Sequence, residues 1–89
     1  MKFIRISSLG CSSCIITYPL WKSVQEKYPE YEYVEYDYDL DENEIKKYEI
    51  GNILPVILIY KNNQEIKKII GEKTQEEFFN EIEEVIQWN

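Results

Sequence analysis

Leu9-Gly10-Cys11-Ser12-Ser13-Cys14 follows a short apolar run, Phe3-Ile4-Arg5-Ile6, and leads into a longer stretch with helical periodicity. The run reads as a strand. The stretch reads as a helix over about 12 to 27, with Ile16, Leu20, Val24 and Tyr28 as its buried face. The cysteines therefore stand at a strand-to-helix junction. Residues three apart in a helical turn have β-carbons about 5–6 Å apart, close enough for a disulfide to close with modest adjustment. Free N–H groups and the positive end of the helix dipole favour a thiolate on Cys11, below the usual cysteine value of about 8.5. Cys14, one turn further in, receives less of that field and is expected to be more buried. The asymmetry makes Cys11 the attacking sulfur and Cys14 the resolving one. As a mere staple the pair is poorly placed, because so short a loop stabilises by only about 2 kcal/mol in the chain-entropy model.

Composition removes other chemistries. The chain has 89 residues, 17 acidic against 10 basic, a formal net charge of −7, two cysteines and no histidine. Its length predicts one domain over 1–89 and a compact core, since a chain this small buries about 60–65% of its unfolded surface. The negative charge argues against nucleic acid as partner, because phosphate binding needs a basic stripe. Lack of histidine excludes Ser-His-Asp and Cys-His catalysis and His-containing zinc sites. No signal peptide is legible at the start. The longest apolar run, Ile53 to Tyr60, is interrupted by Pro55 and falls short of a membrane span. We therefore expect a soluble cytoplasmic protein with no membrane partner. In a reducing compartment a close cysteine pair points to catalysis or metal binding rather than structure.

Further along, Glu32 to Tyr38 alternates, Val34, Tyr36, Tyr38 and Leu40 on one side and Glu35, Asp37 and Asp39 on the other, predicting a strand with one apolar and one acidic face. Asp41 and Glu44 resemble a capping box before a short helix through Tyr48. Val56-Ile57-Leu58-Ile59-Tyr60 predicts a central strand buried on both faces. Lys61-Asn62-Asn63-Gln64 predicts a tight hairpin into a strand over about 65 to 70, closed by Gly71. Thr74-Gln75-Glu76-Glu77 opens a last helix that turns Phe78, Phe79, Ile82, Val85 and Ile86 inward. The predicted order is β-α-β-α-β-β-α, without internal repeats. Pro19 inside the first helix predicts a kink. Trp21 and Trp88 are expected to cover helix surfaces, and the five tyrosines from Tyr28 to Tyr38 to pack as strand residues.

Together the CxxC at a helix entrance, Pro19 five residues beyond it, and Ile53-Leu54-Pro55 opening a buried strand resemble the thioredoxin family over nearly the whole chain. The resemblance implies an α/β, three-layer thioredoxin-like sandwich, a four-stranded mixed sheet with helices on both faces. It also implies a cis-proline at Pro55 beside the cysteines, with Leu54 offering backbone hydrogen bonds to an extended substrate segment. Read without the resemblance, Pro55 is better taken as a trans proline starting a strand. The implied activity is thiol-disulfide exchange on protein disulfides by a monomer that needs no cofactor and no metal, with a thioredoxin-reductase-like electron donor. Gly10, Ser12, Ser13, Pro19 and Gly71 are the implied supporting positions.

The pattern also departs from the family. Gly10 stands where a tryptophan usually precedes the CxxC, and Ser12-Ser13 is neither the Gly-Pro of thioredoxins nor the Pro-Tyr of glutaredoxins. Dipeptides at this place tune potentials over about −270 to −120 mV, so the direction of electron flow is not legible. Gly71-Glu72-Lys73-Thr74 lacks the glutaredoxin pattern for glutathione. Arg5 occupies the position of the family's buried Asp, which helps to deprotonate the second cysteine. The alternation of the neighbouring strand turns Glu35 away from that role. The first strand and helix of full-length thioredoxins are expected to be missing, and if so the strand at 32–38 becomes a sheet edge. Eight acids and no bases between Glu30 and Glu44 would then guard it against pairing with other chains. The same acids do not fit a calcium loop, because Glu42 stands where glycine is needed and Tyr48 where a bidentate Glu is needed. Two other readings remain open: a dimer sharing Cys11 and Cys14 as a four-thiolate zinc or iron–sulfur site, and a redox-inert partner-binding domain.

Overall fold

A computed structural model describes residues 1–87 of the chain; the expectation for Trp88 lies outside the described residues. The sheet forms around the two most apolar runs. Lys2–Ser7 (β1) and Val56–Lys61 (β3) pair antiparallel, with Ile4 opposite Leu58 and Ile6 opposite Val56. β1 also pairs in parallel with Glu32–Asp37 (β2), a geometry that requires a crossover, and Ser12–Lys27 (α1) supplies it. Gln64–Ile70 (β4) returns antiparallel to β3, giving the sheet order β2-β1-β3-β4. Its two-residue turn holds Asn62 and Asn63 at φ 54° and 64°, the left-handed conformation that asparagine tolerates. The short Glu42–Ile45 (α2) and the longer Gln75–Gln87 (α3) complete the order β-α-β-α-β-β-α.

Helices cover both faces of the sheet. On one face Trp21 and Val24 of α1 and Phe78, Ile82 and Val85 of α3 close over Phe3, Ile57, Ile59 and Ile69. On the other, Ile4, Ile6, Val56 and Leu58 pack with Ile45 of α2 under Tyr36, Tyr48 and Tyr60. Reciprocal bonds fix the start of α3: the Glu77 N–H donates to Thr74 Oγ1 at 3.1 Å, and the Thr74 N–H donates to Glu77 Oε1 at 3.0 Å.

Four details differ from the sequence pattern. The buried stripe of α1 is Cys14, Thr17, Trp21 and Val24, whereas Ile16 is 62% exposed. Spacings of three and four follow the 3.6-residue turn, while a constant spacing of four drifts round the helix. Trp21 is accordingly a core residue, edge-on to the Tyr33 ring. β2 does not divide into an apolar and an acidic side, because Tyr33 shares the α1 face with Glu35 and packs on Phe3. Asp41 makes no side-chain cap to α2; its carboxylate reaches back to accept from the Asp37 N–H at 2.7 Å.

Candidate active site

Where β1 ends, Ser8 accepts the Cys11 N–H at its carbonyl (3.2 Å), and its hydroxyl donates to Asp39 beyond β2 (2.9 Å). That turn places Cys11 as the N-cap of α1, with extended backbone angles. Its sulfur accepts the Cys14 N–H at 3.1 Å, so the cap residue's usual oxygen is replaced by a sulfur aimed at the helix's free donors. Cys11 and Cys14 are joined as a disulfide, their Cα atoms 5.2 Å apart. Cys14 is buried at 3% exposure, whereas Cys11 is half-buried and within reach from outside.

The loop before β3 comes to the same place from the opposite side of the chain. The Leu54–Pro55 peptide bond is cis, and the Leu54 carbonyl oxygen lies 3.7 Å from the Cys11 sulfur. Pro55 is buried and its carbonyl accepts the Gly71 N–H at 2.8 Å. Gly71 has φ +82°, and a Cβ there would sit 3.4 Å from Ile53. The position thus favours glycine on conformational and steric grounds. Ser13 Oγ donates to Glu72 beyond Gly71 at 2.9 Å, and the Ser13 carbonyl accepts the Thr17 hydroxyl at 2.7 Å. Ser12 is exposed in the first turn, Gly10 borders open space, and Pro19 lies one turn on, with α1 continuing through it. Of the sequence candidates, Cys11, Cys14, Leu54, Pro55, Ser13 and Gly71 converge; Ser12, Gly10 and Pro19 only flank them.

One group of residues had escaped the sequence pattern. Leu9 and Ile15 line the cleft beside Cys14 and Ile53 lies against Gly71; these three and Ile16, the next residue of α1, are 59–84% exposed. Adjacent isoleucines at 15 and 16, 100° apart on a helix that already buries Cys14, were the available signal. Arg5 is 2% exposed and lies against Cys14, donating from Nη2 to the Cys14 carbonyl at 2.6 Å and from Nη1 to Glu35 at 2.5 Å. Glu35, paired across the sheet with Arg5, therefore does point to this side: β2 alternates, but the side carrying Glu35 and Asp37 is the one under α1. Among the described residues no group of three or more metal-ligating side chains gathers.

A mixed four-stranded sheet with helices on both faces, and a CxxC disulfide capping a helix against a cis X-Pro bond, define a thioredoxin-like dithiol protein. The Thioredoxin family model matches residues 3–84, and the chain belongs to the thioredoxin family. Thioredoxin H5 of Oryza sativa subsp. japonica is 31% identical over 78 residues, an alignment taking in 84% of this chain and 57% of the rice protein. The chain thus spans somewhat over half the length of that relative. Among solved structures, the oxidised mitochondrial thioredoxin 3 of Saccharomyces cerevisiae superposes with a TM-score of 0.80 at 24% identity, over 93% of this chain and 76% of that one. A chain from the complex of ferredoxin:thioredoxin reductase with thioredoxin f2 superposes at 0.81 and 23% identity, over 94% and 76%. At these identities the likeness speaks for the fold.

Proposed function

We propose that the chain is a thiol-disulfide oxidoreductase that exchanges its Cys11–Cys14 pair with disulfides of other proteins. The single observation that carries this reading is the position of Cys11: half-buried, at the N-cap of α1, with its sulfur accepting a backbone N–H. Thiols at helix N-termini ionise well below the ordinary cysteine value, and the thiolate is the attacking form. In the first step the Cys11 thiolate attacks one substrate sulfur, the substrate S–S bond breaks, and the departing sulfur leaves with the electron pair and takes up a proton. In the second, Cys14 gives up its proton and attacks the Cys11 sulfur, and the remaining substrate sulfur leaves in the same way. The substrate gains two electrons and the protein is left as its disulfide.

Leu54 and Pro55 are the substrate-binding positions in this reading. The Leu54 backbone beside the Cys11 sulfur suits an extended segment of a partner protein, held by main-chain bonds. Exposed Leu9, Ile15 and Ile53 add apolar contact. Ser12, Ser13, Gly10, Pro19 and Gly71 shape the surround. An external dithiol donor of the reductase type restores the pair; a thioredoxin crystallised with ferredoxin:thioredoxin reductase shares this fold. A cytoplasmic, single-domain monomer working in electron transport and redox homeostasis fits a chain whose described helices are none of them long and apolar enough to cross a membrane.

The test is catalysis of protein-disulfide reduction by dithiothreitol. The parent chain accelerates it, Cys11→Ser abolishes the acceleration, and Cys14→Ser accumulates a mixed disulfide with substrate, visible as an added mass. Full activity in Cys11→Ser sinks the assignment.

A further inference from the structure

We propose that Arg5, anchored by Glu35, is a positioning residue for the second step: a buried cation that stabilises the Cys14 thiolate, so that the Cys14 proton leaves to solvent rather than to a buried base. This rests on the dithiol reading above. A buried guanidinium is costly unless it is paired, and here the pairing is lopsided. The Arg5 side chain is 3% exposed and that of Glu35 is 41%, so water screens the carboxylate more than the cation. Arg5 Nε is buried without a hydrogen-bond partner among the described residues. The remaining positive charge faces Cys14, whose carbonyl it holds at 2.6 Å, with the Tyr18 ring 5.5 Å from the guanidinium carbon.

The other charged and titratable groups around Cys14 do not replace it. Asp37 of β2 lines the cleft beside Cys14, but its Oδ1 already accepts the N–H groups of Asp39 and Leu40. Glu72 is engaged by Ser13, and Lys73 borders a separate small void that Arg5 lines and Cys14 does not. Tyr18 lies beneath the guanidinium. Arginine stays protonated throughout the usable pH range, so it cannot take the proton. A cleft of about 350 Å³ lined by Arg5, Cys14, Asp37 and Tyr18 opens to solvent and gives the proton its exit. Balance is kept: the Cys14 S–H loses a proton to water in the cleft, its lone pair forms the bond to Cys11 Sγ, and the Cys11–substrate bond breaks onto the substrate sulfur, which is protonated from solvent.

Opposite signs test this. In a Cys11→Ser background, the pH at which the Cys14 thiol ionises is read from thiolate absorbance. Removing the cation (Arg5→Met) raises it by about one unit or more, whereas removing the counter-charge (Glu35→Gln) lowers it, opposite charges at this range moving a thiol by about that much. Arg5→Lys, charged but not forked, falls between parent and Arg5→Met. In the full chain the equilibrium with dithiothreitol shifts toward the disulfide in Arg5→Met and toward the dithiol in Glu35→Gln. A simple packing role would not move the two variants in opposite directions. If Arg5→Met does not fold, Glu35→Gln decides: an unchanged or raised ionisation pH overturns the proposal. A parent chain without disulfide-reductase activity would instead overturn the reading beneath it.

Discussion

Tyr33 holds its hydroxyl between two carbonyl oxygens, its one proton donated to that of Tyr28 at 2.6 Å with that of Val24 sharing it at 3.2 Å. Burial first, and then the charge of Glu30 and the neighbouring tyrosines, push its pKa up to about 12 from 10.0. Because the folded value is the higher one, Tyr33 contributes its stability fully below about pH 10, and that contribution is lost as pH rises toward about 12. Urea unfolding at about pH 8 and about pH 11 should show a smaller alkaline loss in Tyr33→Phe than in the parent, alongside a loss of about 1 kcal/mol at the lower pH for the missing hydrogen bond. An unchanged alkaline loss would remove Tyr33 as its source. Tyr33 was legible in the sequence as a packing strand residue but not on the face it takes, half-buried against the core beneath α1. Alternation assumes that one face is covered, and β2 is partly covered on both. Arg5 was conspicuous in the sequence, yet its role was not legible there: no pattern says what a charge does inside a strand with two buried faces.

At the scale of elements, the reciprocal bonds of Thr74 and Glu77 were readable from spacing alone, because a capping box is local. Replacing Thr74 by Ala should cost about 1 kcal/mol of stability, the usual value for a threonine cap, measured by urea unfolding near neutral pH. Hydrogen bonds from Thr74 hold the Glu77 carboxyl below its ordinary value. Its folded value being the lower one, the contribution is present above about pH 4.5 and is lost as pH falls through the folded value, so Glu77→Gln should flatten that part of the acid limb. An acid limb identical to the parent's would contradict it. α1 shows where locality ends. Its boundaries follow from Cys11 and the apolar pattern, and Val24 is buried with Leu20 and Tyr28 half-buried against the core, yet Ile16 of the same expected face points outward. The candidate cap at Asp41 failed too, as its carboxylate is drawn back to Asp37 by the turn leaving β2.

For the molecule as a whole, the order of elements and the meeting of Cys11 with Leu54 could be anticipated because each run has a distinct period and the cysteines sit at a junction. The Arg5–Glu35 pair could not, since it depends on the parallel register of β1 with β2, set by contacts far apart in the chain. β2 is an edge of the sheet and carries Glu32, Glu35 and Asp37, where charge discourages pairing with another molecule. Glu30→Thr with Glu32→Val should leave stability within about 0.5 kcal/mol, because the Lys2–Glu32 pair is exposed and 3.7 Å apart. Sedimentation should show self-association rising about tenfold or more, equivalent to about 1.4 kcal/mol; no rise would mean that the acids do not guard the edge. The hairpin at Asn62 and Asn63 lies at the opposite end of β3 from Pro55, about 20 Å away for six extended residues. A short peptide tag inserted there would orient the protein on an electrode with its disulfide facing the electrolyte, and would need no added thiol to compete with the pair being measured.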